Sequence, residues 1–426
     1  MKIVYSGCIN CLNLGDDILP LIYMNKIKEL FINDYKIETY VEYNSELKKY
    51  NFDDILNNFE LYVVGGGSII HSGEISYTKH CINNNFNYVF LCGTGVGNCD
   101  GFIINKNTLQ NICNGELDFN RDVFNDDNNI LDANVKYLNN CNKICGGFRS
   151  ENDIEILKKF GLQYKKKIYD IGLLVKNIIN NTKNIKIKNG EKKIISLNLA
   201  NITSLNSFYN YDNTVINYLE LENKIFHFIL YLINQNYYIC FIPFGKNELH
   251  LHKSMYNKII NTLHIDEDNN NYMYCLDDFN YNEILNIIKN SYCVIGTRLH
   301  SNVFAASFNV PFIMLAYEYK CINFAKSIDM LEYVILTYSN DINIDIFIEK
   351  IMSINTNYLN IKLKLKKHVE YAEILYNEEL KKIFDNYHEK NKYSKKATIN
   401  YYYDMNNSAQ YMPIIILFDE DNNYSY

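Results

Sequence analysis

The sequence predicts an α/β protein built from two doubly wound, Rossmann-like domains that face a central cleft. Short β-rich apolar runs alternate with stretches of helical apolar spacing, and several of the apolar runs end in glycine turns. The order strand, glycine turn, helix is typical of a parallel sheet covered by helices on both faces. The series stops in an Asn- and Lys-rich stretch at 176–193 and then starts again, which indicates two such units joined by a linker.

The first series predicts five strands and two helices. The strands are expected at 2–5, 61–64, 88–92, 144–145 and 168–175, and the helices at 18–30 and 152–160. Asp16 and Asp17 occupy the expected N-cap region of the first helix, with Pro20 in its first turn. Ser150 and Asp153 have the spacing of a capping box for the second helix.

The second series predicts five further strands and a set of helices. The strands are expected at 194–199, 238–244, 272–276, 293–295 and 312–316, and the helices at 219–233, 248–263, 281–289, 320–328 and 363–385. The last helix is long enough to cross both units. We therefore expect an N-terminal domain over 1–183, a C-terminal domain over 184–388 and a low-complexity tail over 389–426, in which one added strand fits the apolar stretch 413–418.

The composition argues against several classes of protein. The 426 residues contain 42 Lys and Arg against 49 Asp and Glu, for a net charge of -7. Nucleic-acid binding needs a basic face that releases counterions from phosphates, so we expect no nucleic-acid partner. No apolar run reaches the roughly 18 to 20 residues that span a bilayer, so we expect no membrane span. The start of the chain lacks the apolar core of a signal peptide, from which we expect a cytoplasmic protein.

No cofactor and no metal site are expected. The 12 cysteines are scattered, and the CxxC pair of Cys8 and Cys11 has no second ligand pair at a zinc-like spacing. His250 and His252 lie two positions apart on a predicted helix, where they do not share a face. We therefore expect both histidines at the surface rather than on a metal.

Arginine is scarce in this chain, which makes each arginine informative. Asn, Ile, Lys and Tyr dominate, and the three arginines are Arg121, Arg149 and Arg298. Lysine can supply a plain positive charge, but it cannot supply the planar, bidentate guanidinium. Arg121 lies in a polar stretch and is expected to be an ordinary surface residue.

The segment from Gly296 to Ser301 is the strongest candidate site, because it follows a predicted strand and precedes a helix. In open α/β sheets, ligands bind outside the carboxyl ends of the strands. Arg298 and His300 flank Leu299, so we expect their side chains to point the same way. Arginine offers a forked donor for a carboxylate or phosphate, and histidine offers a proton near neutral pH. The alternative is a helix-capping pair without chemistry.

Arg149 is the second candidate, since it also follows a glycine turn at the end of a strand. The alternative is a surface ion pair with Glu151 or Glu155. The turns that contain Gly66, Gly67 and Gly95 offer backbone amides to an anion, although tight turns also need glycine for backbone reasons alone.

Asn13, Asp16 and Asp17 place polar side chains at a helix start beside the expected cleft. One of the two carboxylates can cap the helix. The other is then a candidate base, or an acceptor for a hydroxyl of the substrate.

Together these elements resemble the polysaccharide pyruvyl transferase family over roughly residues 3 to 335. The resemblance rests on an ordered series: Asn13, Gly15 and Asp16; Val63 to Gly67; Gly93, Gly95 and Gly97; Arg149; Asp170 to Leu174; and Gly296 to His300 followed by Pro311, Tyr317 and Lys320. The family implies a fold similar to the GT-B glycosyltransferases. It also implies transfer of a pyruvyl group from phosphoenolpyruvate to sugar hydroxyls, which usually leaves a cyclic ketal.

The resemblance also implies roles for individual residues. Arg149, Arg298 and His300 match the donor-binding positions, with Leu299 lining the pocket. The C-terminal domain is the expected donor side, and the N-terminal domain is the expected acceptor side. We hypothesise that His300 protonates the enol carbon or stabilises the phosphate, and that Asp16 or Asp17 is the base. The expected partners are phosphoenolpyruvate and a glycan acceptor, and a homo-oligomer is compatible with the sequence.

The sequence departs from the family at three places. Ser150 replaces the usual acidic residue, Asp153 replaces a usual serine, and the segment 244–248 stands where the family often has an acidic loop. Two other functions therefore stay open. One is a glycosyltransferase that uses a nucleotide sugar, for which Glu318 is the candidate ribose ligand. The other is a non-catalytic relative that binds a glycan or an anion.

Overall fold

The computed structural model describes most of both predicted units, and every statement below concerns the residues it describes. These residues are 2–7, 13–31, 38–41, 61–67, 70, 88–96, 128–141, 143–179, 192–200, 218–266, 271–277, 280–337, 342–390 and 401–402. Cys8, Cys11, Gly97, Arg121 and most of the predicted linker and tail lie outside them.

The first sheet contains six parallel strands in the order β12-β2-β1-β3-β4-β5. The strands are β1 (Lys2–Ser6), β2 (Glu38–Val41), β3 (Leu61–Val64), β4 (Tyr88–Thr94), β5 (Ile144–Phe148) and β12 (Tyr401–Tyr402). Every residue of β3 and β4 is buried, as expected for central strands of a parallel sheet that is covered on both faces. The strand order reverses beside β1, so a crevice is expected at the carboxyl ends of β1 and β3.

The second sheet also contains six parallel strands, in the order β11-β10-β9-β6-β7-β8. The strands are β6 (Lys193–Asn198), β7 (Tyr237–Phe241), β8 (Met273–Cys275), β9 (Cys293–Gly296), β10 (Phe312–Ala316) and β11 (Val334–Leu336). Here the order reverses between β6 and β9, which places the corresponding crevice at the residues that follow Asn198 and Gly296.

Helices cover both sheets. They are α1 (Leu14–Phe31), α2 (Asn128–Asn140), α3 (Glu151–Lys159), α4 (Tyr218–Asn234), α5 (Glu248–Leu263), α6 (Tyr281–Asn290), α7 (Leu299–Ser307), α8 (Tyr319–Ser327) and α9 (Ile344–Lys390), with 3-10 helices at Ile171–Ile178 and Leu331–Tyr333. None of the helices within the described residues has both the length and the apolar content needed to cross a membrane. The predicted α/β fold with two parallel sheets is confirmed, whereas the domain limits drawn from the sequence stay a prediction.

The stretch predicted as a strand at 168–175 is instead the 3-10 helix Ile171–Ile178. A short, continuously apolar run does not distinguish a buried strand from a buried helix. Asp170 decides the outcome locally, because its side chain caps this helix by accepting a hydrogen bond of 2.8 Å from the Gly172 amide.

The start of α1 also differs from the prediction. The helix begins at Leu14, and the Asn13 side chain accepts a hydrogen bond of 3.3 Å from the Gly15 amide. Asp16 and Asp17 therefore lie in the first turn rather than at the N-cap, and Pro20 lies one turn further in. Since Pro20 has no N–H, it cannot donate the helical hydrogen bond to the carbonyl of Asp16.

Helix α9 packs against helices of both units, α4 of the second and α1 of the first. Near its start, Phe347 packs against Phe228 of α4, with ring centroids 5.1 Å apart. Near its end, Phe384 stacks on Phe31 of α1 at 3.7 Å, and the Tyr376 hydroxyl donates to the carbonyl of Tyr169 at 3.1 Å. A single helix thereby ties the two units together through buried aromatic contacts.

Glu379 anchors α9 to the first sheet. Its buried carboxylate accepts hydrogen bonds from the Gly146 amide at 2.9 Å, from Lys382 at 2.5 Å and from Lys166. Burial by itself raises the pKa of Glu379, but the three donors lower it by more, so the pKa lies below its usual range. A carboxyl group with a depressed folded-state pKa stabilises the fold above its unfolded-state pKa and loses that contribution as the pH falls through the folded-state pKa.

We predict that Glu379→Gln lowers the free energy of unfolding by about 1 to 3 kcal/mol at pH 7, because hydrogen bonds to a charged acceptor are lost. The difference from the wild type should shrink as the pH falls below about 4, where the carboxyl groups of both states become protonated. Urea unfolding between pH 7 and pH 3 measures this. Glu370→Gln on the exposed side of α9 is the control, and an equal effect of both variants at pH 7 would contradict the assignment.

Candidate functional site

The carboxyl end of β9 places Arg298 and His300 at the crevice of the second sheet. Arg298 is the N-cap residue of α7, and His300 lies in the first turn of that helix. Leu299 between them is buried in the core. The first turn of α7 packs against the first turn of α1 and against the 3-10 helix Ile171–Ile178, so His300 reaches the N-terminal unit.

The His300 ring lies between two carboxylates of the N-terminal unit. Its Nδ1 atom is 3.9 Å from Asp16 Oδ1, and its Nε2 atom is 3.9 Å from Asp170 Oδ2. The ring is 6% exposed. A Cβ atom on Gly15 would overlap this ring, so glycine is the residue that lets α1 approach it so closely.

Arg149 is buried at the end of β5, with 1% of its surface exposed. Its Nη1 atom lies 3.8 Å from Asp170 Oδ2, and its Nε atom lies 4.0 Å from Asp153 Oδ2. A Cβ atom on Gly95 would come within 2.5 Å of the guanidinium, so this glycine makes room for it.

The alternative interpretation of Arg149 as a surface residue is wrong. Glu155 pairs with Lys158, and Glu151 pairs with Lys167. The carboxylates that face Arg149 are instead buried, and they come from the capping position 153 and from the distant position 170.

Asp170 links the two candidate groups, and the sequence interpretation assigned it no role. Its Oδ2 atom faces both Arg149 and His300 at the distances given above. Among the described residues, Asp170 Oδ2, His300 Nε2 and Thr94 Oγ1 are buried polar atoms that make no hydrogen bond. Such atoms are costly in a protein interior, and they are expected where a polar ligand binds. The signal available in the sequence was the Asp170–Leu174 segment of the family resemblance.

Asp153 is buried beneath Arg149 and belongs to the helix cap. The Ser150 side chain accepts from the Asp153 amide at 3.1 Å and donates to Asp153 Oδ2 at 2.5 Å, which confirms the predicted capping box. Asp153 also accepts from the Val96 amide at 3.0 Å. Burial raises the pKa of Asp153, and Arg149 together with these hydrogen bonds opposes that rise without cancelling it.

Arg298 and His300 contact different carboxylates. The Nε atom of Arg298 donates to Glu248 Oε1 at 2.6 Å, whereas His300 faces Asp16 and Asp170. The expectation that the two side chains share a direction stays a prediction. Burial lowers the pKa of Arg298, but Glu248, Tyr317 and Asp16 together raise it by more, so the pKa lies above its usual value.

Asn13 and Asp16 lie together at the start of α1, where Asn13 Nδ2 donates to Asp16 Oδ2 at 2.5 Å. Asp16 is the one of the two candidate carboxylates that the structure places next to His300. Asp17 follows on the same helix, so its side chain leaves the axis about 100° around from that of Asp16.

The glycine turns pack closely in this structure. The Gly66 amide donates to the Tyr5 hydroxyl at 3.2 Å, and the Gly95 amide donates to the Gly67 carbonyl at 2.8 Å. Gly67 has a φ of 106°, which favours glycine at that position. The amides of Gly66 and Gly95 thus have partners within the protein, and an anion contact by this turn stays a prediction.

His252 corrects a second expectation. It is fully buried, with Nε2 at 3.0 Å from the backbone of Leu199, whereas His250 is exposed as expected. Burial lowers the pKa of His252. Within the described part of the chain, no three His, Cys, Asp or Glu residues are grouped so that they could hold a metal ion.

A cavity of about 570 Å³ lies elsewhere, between α4 and the start of α9. Lys224, His227 and Tyr231 are among the residues that line it. None of the candidate site residues lines this cavity, so it is separate from the cluster around Arg149 and His300.

We predict that Asp170→Asn lowers the free energy of unfolding by about 2 to 4 kcal/mol, because it removes a buried negative charge that faces Arg149. Asparagine can still cap the 3-10 helix, so the change isolates the charge. Urea unfolding measures the loss. Asp277→Asn, the same change at an exposed residue near Lys253, should stay within about 0.5 kcal/mol of the wild type. Equal effects of the two variants would show that Asp170 is not part of a buried ionic cluster.

Residues 147–319 match the sequence model of the family described as polysaccharide pyruvyl transferase. The matched segment contains Arg149, Asp170, Glu248, Arg298 and His300, whereas Asn13 and Asp16 lie before it. No curated protein sequence matches the chain.

Solved structures with a similar fold cover nearly the whole chain. MnaA from S. aureus, in a structure with UDP, aligns with a TM-score of 0.52 at 11% identity over 93% of this chain and 99% of that chain. A UDP-N-acetylglucosamine 2-epimerase aligns with a TM-score of 0.51 at 9% identity over 93% of this chain and 97% of that chain. At such low identity the likeness concerns the fold alone, and it confirms the GT-B-like arrangement of two Rossmann-like units.

The family resemblance of the sequence is thereby confirmed for the segment that contains both described arginines and His300: residues 147–319 have the sequence pattern of the polysaccharide pyruvyl transferase family.

Proposed function

We propose that this protein transfers a pyruvyl group from phosphoenolpyruvate to hydroxyls of a sugar or glycan and forms a ketal. The observation that carries the proposal is the buried guanidinium of Arg149, which shares the carboxylate of Asp170 with His300 inside the segment that matches the family. An arginine is rarely buried to this degree without a specific anionic or polar partner.

The chemistry of the donor supports this choice. Phosphoenolpyruvate has a phosphate and a carboxylate, and an arginine guanidinium can bind either group through two parallel hydrogen bonds. Arg149 and Arg298 come from different units, and each guanidinium faces a buried carboxylate. In this proposal the donor is held by Arg298 and His300 of the C-terminal unit and by Arg149 of the N-terminal unit, and the acceptor enters from the N-terminal unit.

The proposed reaction transfers protons, forms two C–O bonds to the sugar and breaks the C–O bond to the phosphate. His300 donates a proton to the methylene carbon of phosphoenolpyruvate, which makes the adjacent carbon electrophilic. A sugar hydroxyl adds to that carbon while a base takes the hydroxyl proton, and the bond from the carbon to the phosphate oxygen then breaks. A second hydroxyl of the sugar then adds to the same carbon and gives its proton to the released phosphate, which closes the ketal. The scheme needs no cofactor because it requires proton transfer and anion binding only.

Asp16 is the better candidate for the base. It lies 3.9 Å from His300, and Asn13 holds its second oxygen. A base next to the proton donor is placed to act on a hydroxyl that attacks the protonated donor. Asp17 points to another side of α1 and is the second choice.

The rival functions make different demands on the cleft. A glycosyltransferase that uses a nucleotide sugar needs a carboxylate for the ribose, and Glu318 is the candidate. Glu318 is buried, and its Oε2 atom lies 2.7 Å from Lys320, so a ribose would compete with an existing ion pair. A non-catalytic relative would bind the anion without turnover.

A cytoplasmic location and the oligomeric state stay predictions.

We predict that phosphoenolpyruvate raises the melting temperature of the purified protein, because a ligand that binds only the native state stabilises it. Thermal shift with phosphoenolpyruvate, UDP-sugars, GDP-sugars and inorganic phosphate measures this. The shift should disappear in Arg149→Lys and Arg298→Lys, since lysine cannot form the bidentate pair. Arg121→Lys is the matched control and should keep the full shift.

A shift with a nucleotide sugar alone would replace the proposal with the glycosyltransferase. Binding of phosphoenolpyruvate without release of phosphate in the presence of a panel of glycans would favour the non-catalytic relative.

A further inference from the structure

Glu248 is a buried carboxylate that the proposed reaction does not use. It is the first residue of α5 and is 1% exposed. Burying a carboxylate is costly unless donors satisfy both of its oxygens. Glu248 has three such donors: Arg298 Nε at 2.6 Å, the Phe244 amide at 2.8 Å and Asn198 Nδ2 at 2.8 Å.

Arg298 is held through its side chain and through its backbone. Glu248 accepts from the guanidinium, and Asn198 Oδ1 accepts from the Arg298 amide at 2.9 Å. Because Asn198 also donates to Glu248, the three residues form a closed ring of hydrogen bonds. Both Asn198 and Glu248 are buried, so water does not compete for these bonds. These hydrogen bonds fix the position of the Arg298 backbone amide and the orientation of its guanidinium.

The contact with Glu248 leaves the two Nη atoms of Arg298 available for a ligand. Glu248 contacts the Nε atom, and neither Nη atom of Arg298 has a hydrogen-bond partner within the described residues. The side chain of Arg298 is 15% exposed, so part of it remains in contact with solvent. A carboxylate or phosphate binds bidentately to two nitrogens of one guanidinium, and the two Nη atoms provide such a pair.

The same carboxylate also supports the start of α1. The Phe244 amide donates to Glu248, while the Phe244 carbonyl accepts from the Leu14 amide at 2.8 Å. Asn13 and Gly245 form an antiparallel bridge next to this contact. The turn that Glu248 holds therefore touches the helix that begins with Asn13 and includes Asp16.

We propose that Glu248 is a positioning residue that presents the two Nη atoms of Arg298 to the anionic donor and sets the start of α1 against it. The identity of that anion as phosphoenolpyruvate rests on the proposed function. The segment 244–248 stands where the family often has an acidic loop. In this protein the acidic residue of that segment is Glu248, and its carboxylate binds Arg298.

The first experiment needs no substrate and uses the scarcity of arginine. The chain has three arginines, so a ¹⁵N–¹H spectrum of the arginine Nε–H groups contains at most three signals. Arg298→Lys identifies the signal of Arg298. In Glu248→Gln we expect exchange of this proton with water to become at least about tenfold faster, since a charge-assisted hydrogen bond is weakened.

Glu220→Gln is the matched control, because Glu220 pairs with Lys224 on the surface of α4. It should leave the Arg298 signal unchanged. If Glu248→Gln does not fold, Glu248→Asp keeps the charge but withdraws the carboxylate, and the same loss of protection is expected. An Arg298 signal that is unchanged in a folded Glu248 variant would overturn the proposal.

The second experiment measures the dissociation constant for phosphoenolpyruvate by calorimetry. We expect Glu248→Gln to raise it at least about tenfold, with little effect of Glu220→Gln. In an Arg298→Lys background the same Glu248 substitution should add less than about twofold, because the two residues act as one unit. Independent, additive losses would assign Glu248 a purely structural role and overturn the proposal.

The two experiments separate this proposal from the proposed function. A wild-type protein that binds no phosphoenolpyruvate contradicts the proposed function. The Arg298 spectrum still decides whether Glu248 orients the guanidinium. Loss of protection in Glu248→Gln supports the positioning role for whichever anion binds, and unchanged protection rejects it.

Discussion

The burial of charged groups where the two units meet is the constraint on which the rest of the site depends. His300 extends from the C-terminal unit to the Asp16 and Asp170 carboxylates of the N-terminal unit, and Asp170 also faces Arg149. A charge removed from water is tolerated only when partners and hydrogen bonds replace the lost hydration. Three features of the fold therefore serve the burial of these groups. They are the helix cap at Asp170, the space that Gly15 leaves for the His300 ring, and the contact between α1 and α7.

This requirement produces a continuous series of basic and acidic side chains where the two units meet. Arg149 faces Asp170, Asp170 faces His300, His300 faces Asp16, and the negative charge of Asp16 contributes to the raised pKa of Arg298. Basic side chains and carboxylates alternate along this series, so each carboxylate lies between two basic side chains.

The sequence predicted the parts of the site that depend on local pattern. Arg298 and His300 follow a strand and begin a helix, and such strand-to-helix turns are visible as an apolar run followed by glycine. Glu248 and Asp170 had no such signal, because their partners lie 50 positions away or on another unit. The pattern at 168–175 predicts a strand, whereas the structure has a 3-10 helix at Ile171–Ile178, because a buried strand and a buried helix both contain a short continuous apolar run. Burial of His252 depends on where the end of β6 lies, which only the tertiary fold determines.

The contacts of the two described arginines show what a lysine would not reproduce at these positions. The Arg298 amide donates to Asn198 and its Nε atom donates to Glu248, while neither Nη atom has a hydrogen-bond partner within the described residues. A lysine carries all its donors on one nitrogen, so it would not present a separate pair of nitrogens beside the contact to Glu248. Arg149 likewise faces two carboxylates with different nitrogens of one plane. Both arginines therefore use the geometry of the guanidinium as well as its positive charge.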